Sequence, residues 1–299
     1  MRVNPGAAAR DQSLAARGGT PGRDDRLLPE TRVLAAVIVP VLVVAFVLLY
    51  LFPDDTATLF AWTIRPRMTP LIMGAGYIAG AYFFGQVLLA RRWHTVHLGF
   101  LPITAFTLCM VIATFLHLDR FHPGHISFYT WVALYVATPI LVPLIWLRNR
   151  RTDPQTPAPD DLVLALPLRW MVGLVGAAQL AIALTLLAQP DLMIRYWSWM
   201  LTPLTAQTMS AWFALPGMVA AMMAVDPRWS AIRIIAQSQL IGLALILLAI
   251  PRAWGSFNQA NPLTPLFVAG MGGLFLALLA LNVAMEVRRR TVLRAAAPA

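Results

Sequence analysis

Charged residues are scarce in this 299-residue sequence: they make up 12% of it, whereas 59% of the residues are hydrophobic. An ordinary soluble domain carries about 25% charged residues. The chain therefore has too few charges to cover a water-facing surface of its size, which excludes a soluble globular domain and a disordered protein. The composition predicts an integral membrane protein with several spans.

Lysine is absent and cysteine occurs only once. All 23 basic residues are arginines, a composition typical of GC-rich bacterial genomes. The single Cys109 lies within an apolar run, so an intrachain disulfide is excluded and a small buried hydrophobe is expected. The net charge of +10 does not indicate a nucleic-acid partner, because the arginines lie in the short segments between apolar runs.

Eight apolar runs have the length of about 20 residues that a helix needs to cross a bilayer. They are continuous and do not alternate with polar residues, so they favour helices over a barrel. The runs are 33–52, 68–90, 98–118, 126–147, 170–189, 204–225, 232–250 and 263–285. The predicted fold class is an all-α integral membrane protein with eight transmembrane helices, and its first partner is the lipid bilayer.

The arginines fall unevenly on the two sides of these eight spans. Eighteen lie in the two termini and in the second, fourth and sixth connections, and five lie in the other connections. The positive-inside rule places the eighteen in the cytoplasm. We therefore expect a multi-pass protein of the bacterial inner membrane, with both the N- and C-termini cytoplasmic.

The two halves of the chain resemble each other at a spacing of about 137 residues. The pairs include Arg32 with Arg169, Pro53-Asp54 with Pro190-Asp191, Trp62 with Trp199, Gly80 with Gly217 and, shifted by one residue, Arg92-Trp93 with Arg228-Trp229. Four spans return the chain to its starting side, so the pattern predicts two parallel four-helix repeats. Convergence on membrane-boundary chemistry is the alternative explanation.

This repeat predicts five divisions of the chain. They are a disordered cytoplasmic tail at 1–32, the first four-helix repeat at 33–151, a cytoplasmic linker at 152–168, the second repeat at 169–290 and a cytoplasmic tail at 291–299. The tail lacks apolar periodicity, and the linker is polar and rich in proline, which is typical of connecting segments.

The matched outer loops, residues 53–67 and 190–203, both begin with Pro-Asp and continue with aromatic residues. We expect the aspartate to cap a short helix that lies flat in the outer interface. One hypothesis makes these loops a gate over a site between the halves, and the other makes them structural re-entry elements. The gate candidates are Asp54, Trp62, Asp191 and Trp199.

Six tryptophans lie near the predicted helix ends: Trp62, Trp93, Trp197, Trp199, Trp229 and Trp254. Amphipathic indole rings favour the headgroup layer, so the pattern predicts membrane-interface anchors. An aromatic cage formed by Trp197 and Trp199 is the alternative for that pair.

Small residues predict close helix contacts at three places. The residues are Gly76 and Gly80 of the second span, Gly173 and Gly176 of the fifth, and Gly270, Gly272 and Gly273 of the eighth. Homodimerisation through the second span is the alternative. The centres of the predicted spans hold no carboxylate, which counts against ion-coupled transport. The mid-span pair Gln237 and Gln239 is unusual, and its two-residue spacing makes the side chains face different directions on a helix.

The third connection carries the densest cluster of metal-ligand side chains, on the predicted outer face. The candidate ligands are His117, Asp119, His122 and His125. Imidazole and carboxylate groups can form a zinc or copper site. Alternatively, Asp119 pairs with the adjacent Arg120 and the loop is only hydrogen-bonded. The corresponding loop of the second half, residues 251–258, has no histidine. A divalent metal at this loop is the one candidate cofactor.

The sequence has no nucleophile motif, phosphate loop or pair of catalytic carboxylates, so it favours a non-enzymatic role. The first hypothesis is binding or permeation of a small apolar or lipid-like molecule between the two repeats. The second is an outer-face metal-binding protein with redox or metal-assisted chemistry. The third is a non-catalytic subunit or scaffold, which implies a membrane-protein partner.

Overall fold

The structure, a computed structural model, describes residues 23–157 and 161–295. Eight helices in these ranges are long and apolar enough to cross a membrane, which confirms the predicted number. They are α1 (Pro29–Phe46), α2 (Met68–Leu89), α3 (Phe100–Leu116), α4 (Ile126–Asn149), α5 (Leu166–Ala188), α6 (Pro203–Val225), α7 (Trp229–Arg252) and α8 (Leu263–Ala295). Beyond these helices, the described residues contain short helical turns and three isolated β-bridges.

Among the differences from the predicted bounds are the early starts of α1 and α5 and the late end of α8. Helices α1 and α5 each begin four residues before the predicted span, with a proline in the first turn, where its missing N–H costs nothing. Helix α8 continues past its apolar run to Ala295, because the arginines that follow are good helix formers. Of the predicted tails and linker, residues 1–22, 158–160 and 296–299 lie outside the described residues.

Both described ends of the chain lie at the same end of the helix bundle. The backbone N–H of Asp25 donates to the carbonyl of Thr152, and its carbonyl accepts from the N–H of Trp93. In the other half, the indole Nε1 of Trp229 donates to Glu286 near the end of α8, at 2.9 Å. We refer to this end, which contains residues 23–28, 90–97, 148–157, 161–165, 225–233 and 286–290, as the arginine-rich end.

The helices pack as hairpins within each half and as crossed pairs between the halves. Helix α1 packs on α2 and α3 on α4, and likewise α5 packs on α6 and α7 on α8. Between the halves, α2 packs on α7 and α3 packs on α6. Helices α2, α3, α6 and α7 therefore form the centre. In the apolar stretch of α2, 61% of the residues are buried inside the protein, whereas in that of α8 only 6% are buried. Helix α8 therefore presents most of its surface outward.

Two aromatic clusters at the end opposite the arginines are built from matching positions and have similar centroid distances. The first contains Phe60, Trp62, Phe121 and Trp131, and the second contains Trp197, Trp199, Phe257 and Phe267, each 136 or 137 positions later. The ring centroids of Trp62 and Phe121 are 5.1 Å apart, as are those of Trp199 and Phe257. Such tilted and edge-to-face pairs stabilise each outer loop on its own half.

Backbone and arginine contacts also recur between the halves. At the aromatic end, His122 N donates to Ala61 O and Asn258 N donates to Ser198 O, both at 2.8 Å. At the arginine-rich end, the guanidinium of Arg32 donates to Ala90 O, and that of Arg169 donates to Ala224 O. In both halves, a basic side chain on the first helix satisfies a carbonyl at the end of the second.

The tryptophan-anchor prediction is wrong for most of the rings. Trp62, Trp93, Trp199 and Trp229 are among the largest fully buried side chains, so they cannot lie in a headgroup layer. Trp254 is exposed, as an interface anchor requires. The buried rings instead pack connecting segments onto the helices, which explains why they lie near helix ends.

Glycine positions confirm close helix packing in two of the three predicted places. A Cβ on Gly176 would lie 2.7 Å from the backbone N of Ala221, so α5 and α6 approach at that glycine. The prediction for Gly270, Gly272 and Gly273 is wrong, because a Cβ there would meet open space. Because 61% of the apolar stretch of α2 is buried within the chain, the helix has little free surface for the alternative of homodimerisation, which stays a prediction.

Candidate functional site

An apolar cavity of about 220 Å³ lies between the two halves. Its walls come from α2 of the first half and from α6 and α7 of the second. The lining side chains include Ile72, Phe83, Ile103, Met209, Leu215, Leu243 and Ile246. None of the residues that line it is charged. A concave, largely apolar space of this kind is typical of sites for small molecules.

Glycines on α2 leave room for both the cavity and the ring of Trp212. A Cβ on Gly76 would lie only 1.9 Å from this ring, so any larger residue would displace it. The ring also packs edge-to-face on Phe106 and Tyr77, with centroids 4.7 and 5.7 Å away. Gly76 and Gly80 both line the cavity. The predicted glycine pair on the second span therefore seats an aromatic wall in addition to bringing helices together.

Besides the indole N–H groups of Trp197 and Trp212, three polar side chains line this otherwise apolar space. The Ser238 hydroxyl donates to Ala79 O at 2.7 Å and is thereby satisfied within the wall. Gln179 of α5 and Gln239 of α7 form no hydrogen bond with another side chain or backbone group of the described residues. Since a primary amide can both donate and accept, these two side chains are available to a bound molecule.

Gln237 and Gln239 differ in surroundings, which confirms that they face different directions. Gln237 Oε1 accepts a hydrogen bond from the hydroxyl of Tyr82 on α2 at 2.7 Å, a contact that joins the two halves. Gln239 instead lines the cavity. The first glutamine is therefore a structural bridge and the second is the candidate ligand contact.

The lining of the cavity extends to α5 and α8 at the periphery of the bundle. Gln179 on α5 and Met271 and Leu274 on α8 all line it, and Leu274 is 43% exposed. Helix α8 packs against α7 on its other side. The lining therefore runs from the centre of the bundle to its exposed apolar surface.

The gate candidates lie at the aromatic end, in two different environments. Trp62 and Trp199 are buried in their aromatic clusters, and Trp199 Nε1 donates to Thr69 Oγ1 at 3.0 Å across the halves. Asp54 and Asp191 are exposed, and Asp54 pairs with Arg67 at 3.5 Å. Neither aspartate caps its short helix as predicted: Asp55 and Gln189 occupy the N-cap positions without side-chain caps.

The neighbouring Trp197 lines the cavity and contacts Trp199, with ring centroids 5.0 Å apart. The sequence predicted it only as an interface anchor or as part of an aromatic cage. Trp197 connects the second outer loop to the candidate site. A gating role for the four predicted residues stays a prediction.

The four candidate metal ligands each have a different partner. His117 Nε2 bonds to Gln207 Oε1 at 2.7 Å, and Gln207 Nε2 donates to Leu187 O. Asp119 pairs with Arg120 at 3.0 Å on the exposed surface, which is the alternative given for that pair.

The remaining two histidines are also engaged locally. The His122 ring lies 3.4 Å from Phe60 O and from Thr63 Oγ1, and His125 Nδ1 bonds to Ser127 Oγ at 2.6 Å. Among the residues with described placement, no group of three or more His, Cys, Asp or Glu side chains could hold a metal ion. Metal binding at this loop stays a prediction.

A buried ionic network joins the halves at the arginine-rich end. The guanidinium of Arg228 donates to both oxygens of Asp153 at 3.0 Å and also bonds to Asp226. His97 Nε2 lies 3.1 Å from Asp226 Oδ2. Burial alone would raise the pKa of Asp226, but hydrogen bonds from His97 and Arg228 outweigh it and hold that pKa well below its usual range.

Asp153 and Arg228 respond to the same network. Burial opposes the charge of Asp153, but the hydrogen bonds from Arg228 and the Gln155 N–H lower its pKa. Burial likewise opposes the charge of Arg228, and its bonds to Asp226 and Asp153 raise its pKa above the usual value. All three groups therefore remain ionised at neutral pH, and the network acts as a clamp between the halves.

Sequence reasoning missed Trp212 as a cavity wall and Asp153 with Arg228 as a clamp. The glycine at position 76 signals that something large or close must lie opposite, but not which residue. The sequence Asp226-Pro227-Arg228 indicates a local ion pair between its aspartate and its arginine. The further ion pair of Arg228 with Asp153 depends on how the halves dock.

No protein-family model matches the chain, and comparisons with curated proteins and with solved structures also give no match.

Proposed function

We propose that the eight helices cross a membrane and that both ends of the chain lie on its cytoplasmic side. Two observations support this topology. Large apolar side chains are exposed along the peripheral helices, such as Leu174 on α5 and Leu276 on α8, where water would be unfavourable. The arginine-rich end gathers both described chain ends at one face, and arginines are retained on the cytoplasmic side.

We further propose that the chain consists of two parallel four-helix repeats. The matched aromatic clusters, backbone bonds and first-helix arginines support this arrangement, as does the reciprocal packing of α2 on α7 and α3 on α6. The central axis then runs between the second helices of the two repeats, where Trp212 reaches Gly76.

The function we propose is binding of a small apolar molecule with one hydrogen-bonding group in the cavity between the repeats. The cavity itself carries this proposal: it is large enough for a small guest, has no charged lining residue and holds Gln179 and Gln239 without a partner of their own. Charged or strongly polar substrates do not suit it, because nothing in the wall would offset their desolvation.

An access route between α5 and α8 fits a molecule that is already dissolved in the lipid. The lining residues on these two helices lie at the apolar flank of the bundle, and the exposed Leu274 would meet acyl chains. A lipid-like guest would enter there, place its apolar body against α2 and α6, and direct its polar group to Gln239. The role is binding or passage rather than catalysis, because the lining residues include no nucleophile poised beside a base and no acid.

Photolabelling with a diazirine-bearing medium-chain alcohol, and with the corresponding hydrocarbon, tests this proposal in purified protein reconstituted in lipid nanodiscs. Peptide mapping should place the alcohol on cavity residues such as Trp212 and Leu243. Gln239→Trp, which fills the space, should abolish that labelling. Gln239→Leu should weaken labelling by the alcohol roughly tenfold, the value of one hydrogen bond to a buried partner, and leave the hydrocarbon unchanged.

Gly270→Trp is the matched control, because it adds the same ring on α8 at a position that meets open space outside the cavity. It should label like the wild type. The proposal would be contradicted if the labels were spread evenly over the lipid-facing surfaces of α5 and α8 and if Gln239→Trp did not change them.

A further inference from the structure

A second pocket, of about 310 Å³, lies at the arginine-rich end and differs from the central cavity in its chemistry. It is formed by the last turn of α2, the segment that follows it, the first turns of α7 and the end of α8. The residues that line it include Gln86, Leu89, Arg92, Thr95, Ser230, Arg233 and Arg289. It therefore combines three guanidinium groups with one carboxylate, Asp161, with neutral donors and with an apolar rim. His94, which also lines it, is paired with Asp25.

The positive charge of this pocket is only partly compensated. Glu286 lies 3.3 Å from Arg233 and 3.5 Å from Arg289, so one carboxylate serves two arginines. Asp161 also lines the pocket, but it accepts hydrogen bonds from both the N–H and the hydroxyl of Ser230 and so caps the start of α7. No carboxylate of the described residues forms an ion pair with Arg92.

The matching position in the other half shows what is missing. Arg92 corresponds to Arg228, 136 positions later, and Arg228 is buried between Asp153 and Asp226. Asp226 in turn corresponds to Ala90, also 136 positions earlier: each is the residue that directly follows its helix, and Ala90 lines the pocket. One arginine is thus neutralised by the chain's own carboxylates, whereas its counterpart faces a pocket in which alanine stands at the position of the acid.

We propose that this pocket binds the phosphate group of an anionic ligand, which supplies the negative charge that Asp226 supplies in the other half. Planar guanidinium groups suit phosphate oxygens because they can donate two parallel hydrogen bonds. Basic pockets between helices on the cytoplasmic face are a recurrent chemistry for phospholipid headgroups. A free phosphate offers the same group without the glycerol and acyl chains.

The apolar rim of the pocket distinguishes a phospholipid headgroup from free phosphate as the ligand. Leu89 and Ile234 line the pocket beside the arginines, at the level where the apolar lengths of α2 and α7 begin. A lipid headgroup would place its phosphate against Arg92 and Arg289 while its acyl chains lie along these helices. Inorganic phosphate would use the guanidinium groups alone.

The test measures dissociation constants for three probes by native mass spectrometry and thermal shift, using the purified full-length protein in an uncharged detergent. The probes are short-chain phosphatidylglycerol, short-chain phosphatidylcholine and inorganic phosphate. The double variant Arg92→Gln/Arg289→Gln should weaken phosphatidylglycerol binding about 30-fold, since each arginine near the surface contributes roughly fivefold. The control Arg91→Gln/Arg290→Gln removes equal charge from adjacent exposed positions that do not line the pocket, and should bind as the wild type does.

Each outcome has a definite meaning. Selective phosphatidylglycerol binding with no effect of inorganic phosphate assigns the pocket to a lipid headgroup, whereas saturable phosphate binding that the double variant loses assigns it to free phosphate. Equal binding of phosphatidylcholine, or equal losses in the two double variants, would overturn the proposal, because general surface attraction would then explain the result. Unchanged melting temperatures of both unliganded variants exclude misfolding as the cause.

Discussion

Arg228 and Asp153 form a bidentate ion pair in which both guanidinium N···O distances are 3.0 Å. Each side chain is about 5% exposed. Asp153 follows α4, at the end of the first half, and Arg228 precedes α7 in the second. The pair therefore holds together segments that are 75 residues apart, and its burial makes the loss of either partner costly.

We expect Arg228→Gln to lower the free energy of unfolding by about 3–5 kcal/mol, because it leaves Asp153 and Asp226 buried without their main partner. Arg120→Gln is the control, since its ion pair with Asp119 is about 70% exposed and should contribute less than about 1 kcal/mol. Thermal and denaturant unfolding in mild detergent measure both effects. Equal losses for the two variants would show that the network does not join the halves.

The same network predicts an acid-sensitive fold. The pKa values of Asp153 and Asp226 lie below their unfolded values, so their contribution to stability is present above about pH 4 and decreases as the pH falls below it. The melting temperature of the wild type should therefore fall steeply below about pH 4. Arg228→Gln should flatten this dependence in part, because Asp153 and Asp226 lose the guanidinium that stabilises their charged forms while His97 still contacts Asp226. Parallel pH profiles would contradict this assignment.

Gly76→Ala should destabilise the protein by about 1–3 kcal/mol, because the added methyl group would collide with the ring of Trp212. Gly85→Ala on the same helix meets open space and should stabilise it by about 0.5–1 kcal/mol. Melting temperatures in one detergent provide the comparison. Combining Gly76→Ala with Trp212→Leu should restore part of the loss; additive losses would mean that the ring is not the obstacle.

His117→Ala should destabilise the protein by about 1–3 kcal/mol, because it leaves Oε1 of the buried Gln207 without a donor. His122→Ala should have a smaller effect, since its ring contacts are 3.4 Å long. Unfolding with and without a chelator distinguishes this role from metal ligation. A chelator that lowers the melting temperature of the wild type but not of His117→Ala, together with stoichiometric metal by elemental analysis, would favour a metal site instead.

The helices were predictable because bilayer-length apolar runs determine them locally, and most ends followed from Pro, Arg and loop residues. The burial of the tryptophans was not predictable, because a tryptophan near a helix end can lie either in the headgroup layer or against a packed loop. Choosing between them requires the contacts of Trp62 with Phe121, which are 59 residues apart in sequence.

The central cavity and the ionic clamp depend on how the halves dock. Gln239 could be recognised as unusual from the sequence, but its partner-free position on the cavity wall requires the crossing of α2 and α7. For the histidine cluster, the residues are close in sequence, but this did not predict that their side chains meet. Each side chain has a separate partner. The turn at Gly124, with a φ of 93°, redirects the chain within the cluster.

The membrane topology, on which the account depends, is tested most directly by the accessibility of single cysteines in a Cys109→Ala background. Thr156→Cys and Thr291→Cys should react with an impermeant maleimide only after cells are opened, because Thr156 lies in the arginine-rich end and Thr291 directly follows it. Asp119→Cys and Gln259→Cys, at the opposite end, should react in intact spheroplasts. Labelling of Thr156→Cys and Thr291→Cys from opposite sides of the bilayer would contradict the eight-helix topology and, with it, the position of both pockets.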